Sequence, residues 1–149
     1  MPDRNETPPS VDPFDLNRFL LAQNDVYDRA LAEIRNGRKQ SHWMWFIFPQ
    51  FWGLGASEVS QQYAIRSLSE ARAYLEHPVL GTRLRECAAE LLALDRKSAF
   101  EILGTPDDLK LQSCATLFAK VAEPESCFKL LLNKCYAGVE DPRTLERIR

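Results

Sequence analysis

The sequence predicts an all-α protein, a single compact bundle of about seven helices packed irregularly or orthogonally, some of them short. Three observations predict it. Apolar residues recur every three or four positions in segment after segment, as one face of a helix requires. Helix-start and helix-stop signals, Asp-Pro, Ser-x-x-Glu and Asn-Gly, separate those segments. No stretch calls for a strand, because none has a second strand with which to satisfy its backbone groups.

Residues 1–11 contain three prolines and small polar or charged residues without periodicity, the composition of a loose tail that cannot repay its ordering entropy. The folded domain is expected over 12–149. Asp12-Pro13 has the form of an N-cap followed by a first helical residue, and Leu16, Phe19, Leu20, Val26, Tyr27, Ala30, Leu31 and Ile34 fall on one face of a long amphipathic helix. Asn36-Gly37 supplies a left-handed stop, and Arg35, Arg38 and Lys39 suit the negative end of the helix dipole.

Six of the fifteen aromatic residues then crowd into ten positions, in the segment Ser41-His42-Trp43-Met44-Trp45-Phe46-Ile47-Phe48-Pro49-Gln50-Phe51-Trp52. A short apolar run has no period of its own and fits a buried strand or a short helix. Ser41 as cap, Pro49 as terminator and the lack of a partner strand favour the helix. Trp52-Gly53-Leu54-Gly55 is then a turn whose glycines permit positive φ or close approach.

Ser57 opens a short helix through Tyr63, and Ser67 with Glu70 has capping-box spacing ahead of Ala71, Tyr74 and Leu75. His77-Pro78 breaks that run. Leu80, Leu84, Cys87, Ala88, Leu91 and Leu92 form the next stripe, ending near Asp95. Ser98 with Glu101 repeats the box before Gly104, Thr105-Pro106 opens a helix carrying Leu111, Leu117 and Phe118, and Glu123-Pro124 ends it. Phe128, Leu131, Leu132, Cys135 and Tyr136 make a further helix stopped by Gly138, and Asp141-Pro142 starts the last.

Composition narrows function by exclusion. With 45% hydrophobic and 27% charged residues and a net charge of -2, the chain has neither a disordered composition nor a basic field for a phosphate backbone, so no nucleic-acid partner is expected. No apolar run reaches membrane-spanning length and no secretory leader is visible, so a cytoplasmic protein without membrane contact is expected, as monomer or weak homodimer. Cys87, Cys114, Cys127 and Cys135 lack zinc-ligand spacing and read as reduced core thiols; neither a metal site nor a cofactor is expected.

The chemistry-bearing residues cluster at the aromatic segment and one later helix. His42 stands among hydrophobic neighbours that would bias its imidazole neutral, and Trp43, Trp45, Phe48 and Trp52 have faces on which a flat ligand could stack. Lys39, Gln40, Gln50, Gly53 and Gly55 flank them and could meet a polar or phosphate end. On the later helix, Ser113 and Thr116 interrupt the apolar pattern beside Asp107 and Lys110; either they bond back to the preceding turn or they face a cleft. Glu70 is a candidate general acid–base carboxylate and also a cap. Ring-stacking pocket, folding nucleus and partner-binding face all fit the segment.

From Lys39-Gln40-Ser41-His42-Trp43-Met44-Trp45-Phe46-Ile47-Phe48-Pro49-Gln50 and Gly53-Leu54-Gly55, through Glu70-Ala71, His77-Pro78, Leu80-Gly81, Asp107, Lys110-Leu111 and Thr116-Leu117-Phe118 to Asp141, the chain resembles the bacterial family known as domain of unknown function 1810. That resemblance covers about residues 13–148. It implies a mainly helical domain and no established activity. Some members carry a calpastatin-like label, but this chain has none of a calpastatin's disordered repeats. A second similarity, in Glu70-Ala71, Thr116 to Phe118 and the Trp-Gly-x-Gly of Trp52 to Gly55, is to the NADAR group, N-glycosidase-like helical domains associated with NAD and ADP-ribose derivatives. There the Trp-Gly element falls late in the chain; here it falls early.

Together these features point to a small-molecule site for a nucleotide or ADP-ribose-type ligand between the aromatic segment and the Lys110–Thr116 helix. If a reaction occurs there, hydrolysis of a glycosidic bond makes the least demand. Glu70 or Asp107 would then polarise water, and Lys110 or His42 would steady the leaving group. Lys39, Trp43, Trp45, Gln50, Trp52, Gly53, Gly55, Ser113 and Thr116 would hold the ligand. The alternative is a non-catalytic interaction module using segment 42–52.

Overall fold

Ten helices follow one another through the described residues, 12–148 of the computed structural model, with no strand among them. The expected loose tail at 1–11 lies outside those residues. Six helices are long: α1 (Asn17–Asn24), α2 (Tyr27–Arg35), α5 (Leu68–Glu76), α6 (Leu80–Leu92), α8 (Asp107–Ala119) and α9 (Cys127–Tyr136). Four are short: α3 (Met44–Ile47), α4 (Glu58–Gln62), α7 (Ala99–Leu103) and α10 (Pro142–Arg147). The all-α class with short helices is what the periodicity predicts.

Most boundaries sit at the expected caps. Ser57, Ser98 and Asp141 each accept a backbone N–H at the starts of α4, α7 and α10, and Ser98 with Glu101 completes a reciprocal box. Gly37, Gly104 and Gly138 follow their helices with φ of 74°, 76° and 79°, a conformation that a Cβ would strain. The Ser67 box forms by half. Its hydroxyl takes the Glu70 N–H, but the Glu70 carboxylate turns to the Arg66 N–H and to Arg18.

Three boundaries differ from expectation. The long helix predicted from Asp12 begins only at Asn17 and breaks at Asp25, giving α1 and α2. Asp12 still serves the entry, its carboxylate accepting the N–H groups of Leu16 and Asn17 at 2.8 and 3.0 Å. The break lets α1 pack on α3 while α2 packs on α6, which one straight rod could not do. Gln23, buried just before it, donates to the Phe46 carbonyl at 2.7 Å and the Tyr74 hydroxyl at 3.0 Å. Ser41 does not cap α3; its hydroxyl donates to Glu33 instead. Finally, α9 starts at a cap absent from the sequence reading, buried Ser126.

The core is organised on α8, where Leu111 and every residue from Ser113 to Phe118 are buried, as in a helix surrounded by others. An aromatic line crosses it. Phe128 meets Phe118 at 5.6 Å, Phe118 meets Tyr74 at 5.4 Å, Tyr74 meets Phe19 edge-on at 5.1 Å, and Tyr63 joins Phe19 to Phe46. Gly81 lets α6 approach α5 so closely that an added Cβ would lie 1.9 Å from the Leu75 carbonyl oxygen. No helix of the described residues is long and apolar enough to cross a membrane.

Candidate functional site

The aromatic segment is held from beneath by one carboxylate. Glu33, on the last turn of α2 and 8% exposed, accepts the N–H groups of Gln40 and Ser41, the Ser41 hydroxyl and the Trp43 indole N–H at 2.6 to 2.9 Å. Burial alone would raise its pKa. The four donors outweigh that, the Ser41 hydroxyl foremost, and hold it near 2. Glu33 thus fixes the path of 40–43 and places Trp43 in the core at 0% exposure. Sequence reasoning passed over this residue, since an acid in an amphipathic helix looks like its solvent face.

The segment then divides by depth. Trp43, Phe48 and Phe51 are core, Trp45 and Phe46 are half-buried, and Trp52 is 46% exposed. Two hydrogen bonds to Ile65, from its N–H to the Gln50 carbonyl and from the Trp52 N–H to its carbonyl, both 2.9 Å, anchor the chain just before the glycine loop. They form an isolated parallel bridge between Phe51 and Ile65.

Lys39, Asp107 and Lys110 meet beside the tryptophans. The Asp107 carboxylate bridges both ammonium groups, at 3.0 Å to Lys39 and 3.2 Å to Lys110. Lys39 stands 5.2 Å from the Trp43 ring centre and Lys110 only 3.7 Å from that of Trp45, cation–π distances. The expected proximity of the aromatic segment to the α8 lysine therefore exists, with Asp107 already pairing both cations. On its other side Trp45 approaches Gly55, where an added Cβ would lie 4.0 Å from the Trp45 ring and 2.7 Å from Ser60 Oγ.

Beyond Gly55 the surface opens. Trp52, Gly53, Gly55, Gln61 and Arg66 line a hollow of about 280 Å³. Gly53 has φ of 88°, and its bare α-carbon lies against the Arg147 guanidinium, 2.5 Å from where a Cβ would sit. Arg147 donates to the Gly53 carbonyl at 3.3 Å and lies 5.1 Å from the centre of the Trp52 ring; Arg143 donates to the Leu54 carbonyl at 3.1 Å. The loop thus joins an aromatic face and guanidinium groups, a combination suited to a flat anionic molecule.

The remaining predicted residues lie as follows. Ser113 and Thr116 donate to the Leu109 and Gln112 carbonyls one turn back, and both also hold the cap of α10: Ser113 donates to the Asp141 carboxylate at 2.9 Å, and Thr116 accepts the Asp141 N–H at 2.8 Å. Their hydroxyls bind helix to helix. Glu70 is 3% exposed and ion-paired with Arg18 at 2.7 Å, while His42 is exposed. Arg18 also donates to the carbonyls of Phe14, Asp15, Gln62 and Ala64, tying the chain's entry to α4 and α5. The thiols are quiet: burial pushes Cys87 up to about 12 and Cys114 well above the usual range. No group of three or more metal-ligating side chains occurs among the described residues.

A larger groove, about 700 Å³, runs between α1 and the α5–α6 junction. Its walls are mostly apolar, and its charged residues, Asp12, Glu76 and Arg83, carry both signs. None of the predicted site residues lines it.

Comparison with known proteins places the whole domain. Residues 13–148 match the family model described as protein of unknown function, DUF1810. The solved structure of the conserved hypothetical protein Rv1873 from Mycobacterium tuberculosis is similar, with 50% identity and a TM-score of 0.90 over 92% of this chain and 98% of that one. No curated protein matches. Of the two resemblances in the sequence, these comparisons carry the first.

Proposed function

We propose that this chain, which belongs to the DUF1810 family of unknown function, binds a flat anionic small molecule of the nucleotide class in the cleft at Trp52–Gly55. Exposed Trp52 stacks the ring, and the guanidinium groups of Arg66 and Arg147 meet the ligand's anionic groups. The observation that carries this reading is the arrangement around Gly53: a positive-φ glycine, a guanidinium packed against its α-carbon, and a ring face beside an open hollow.

Binding is better supported than hydrolysis. The two predicted carboxylates are already committed, Glu70 to Arg18 and to the Arg66 N–H, and Asp107 to two lysines. Lys110 and Trp45 back the loop through Gly55 and act as support for the ligand site. An interaction face spanning 42–52 is supported less, because Trp43, Phe48 and Phe51 have almost no surface to offer.

A ligand that binds only the folded state raises the unfolding midpoint, by about 2.7 kcal/mol of stability at a hundredfold excess over Kd. A thermal-shift screen against AMP, NAD, ADP-ribose and free bases should find such a rise, which Trp52→Ala should abolish and Arg147→Ala should diminish. Silence from every compound near a millimolar, or an undiminished response in Trp52→Ala, would refute the site.

A further inference from the structure

The hollow at Trp52 adjoins two others. It shares Gly53 with a second hollow of about 440 Å³, lined also by Leu54, Arg143, Glu146 and Arg147. It shares Arg66 with a third, of about 530 Å³, bounded by Pro13, Phe14, Asp15, Arg18, Gln62, Ser67 and Glu70. The glycine loop, with its single exposed indole, therefore borders two neighbouring hollows, and each of these arms has its own arginines.

Each arm holds at least one guanidinium with no ion-pair partner among the described residues. Arg143 and Arg147 each donate one hydrogen bond to a neutral carbonyl, and among the described residues neither has a carboxylate within ion-pair distance. A guanidinium has five N–H donors, so most of theirs are available. Glu146 is the one acid lining that arm, against two arginines. In the other arm Arg18 is neutralised by Glu70, whereas the Arg66 guanidinium has no ion-pair partner among the described residues; Asp15 is the remaining acid there. Each arm thus offers an unpaired guanidinium beside one ring-sized centre, the Arg143–Arg147 arm with a net positive charge and the Arg66 arm with none.

We infer that the ligand carries two anionic groups on the sugar that bears its ring, as a nucleoside 3′,5′-bisphosphate does, with one phosphate at Arg143 and Arg147, the base on Trp52 and the other phosphate at Arg66. The assignment rests on the ligand site at Trp52 and specifies what that site selects. A nucleotide with a single phosphate satisfies one arm and leaves the other to water. The bisphosphate engages both through charge-assisted hydrogen bonds, each stronger than a neutral one.

Isothermal titration of the full chain with adenosine 5′-monophosphate, adenosine 3′-monophosphate, adenosine 3′,5′-bisphosphate and the trinucleotide pApApA tests this. The bisphosphate should bind at least about tenfold tighter than either monophosphate, a difference of about 1.4 kcal/mol. Arg66→Ala and Arg147→Ala should each reduce its affinity to that of a monophosphate. Both side chains are exposed, and circular dichroism should show both variants folded. Equal affinity for monophosphates and bisphosphate overturns the two-ended assignment and leaves the Trp52 site standing. Tighter binding of the trinucleotide than of the bisphosphate overturns the free nucleotide in favour of a single strand. If none of the four binds, the site and the assignment fall together.

Discussion

Replacing Glu33 by Gln removes the charge that organises the aromatic segment while keeping its shape. In the fold this carboxylate accepts four hydrogen bonds, and its pKa is held near 2 against an ordinary 4.5. At about 1.4 kcal/mol per pKa unit, a difference of about two and a half units is worth about 3 kcal/mol at neutral pH. A glutamine amide keeps one oxygen acceptor but turns its NH₂ toward donors, so Glu33→Gln should lose about that amount. Urea denaturation followed by circular dichroism measures the loss, and tryptophan fluorescence should shift red as Trp43 loses its indole partner. The pH dependence gives a second reading. A carboxylate with a depressed folded pKa contributes fully above about 4.5, and the contribution is lost as pH falls through that value toward 2. The wild type should therefore lose stability over this window faster than Glu33→Gln, which has no proton to bind there. A variant within about 0.5 kcal/mol of wild type, or identical acid slopes for the two proteins, would refute the account of Glu33 as the anchor.

Gly81→Ala should destabilise by about 3 kcal/mol, because its Cβ would overlap the backbone oxygen of Leu75 and α5 and α6 would have to part; an unchanged urea midpoint would contradict that contact. His77 accepts the Val79 and Leu80 N–H groups on Nδ1, which requires the neutral ring; burial, helped by Arg83 and opposed by Asp12, lowers its pKa below the ordinary 6.5. Below pH 6.5 the unfolded chain takes up a proton that folded His77 resists, so stability should decline from there down to the folded value. His77→Asn, which can cap without titrating, should lose that part of the slope in denaturation curves between pH 7.5 and 5. Equal slopes would remove His77 from the account.

Most helix limits were legible because a cap acts within a few residues. Ser57, Ser98 with Glu101, Asp141 with Pro142, and the glycines after α2, α7 and α9 carry their signals locally, and the structure uses each of them. Where a residue found a stronger partner elsewhere, the local signal failed. Ser41 turned from α3 to Glu33, Glu70 left its box for Arg18 and the Arg66 N–H, and the helix through Asp25 broke so that its halves could pack on different neighbours. Of the predicted site, the neighbourhood of Lys39, Trp43, Trp45 and Lys110 was legible from its aromatic and basic residues. Its neutralisation by Asp107, and the arginines of α10 that surround Gly53, were not.

By itself, then, the sequence determined the all-α class, most helix starts and stops, and the aromatic segment as the place to look, since period and capping chemistry are short-ranged. Only the tertiary structure decided that Trp43 is core while Trp52 meets solvent, which charges are paired, and which cations flank the exposed ring. Burial and ion pairing depend on groups tens of residues away in the chain, and no local spacing records where the fold will bring them.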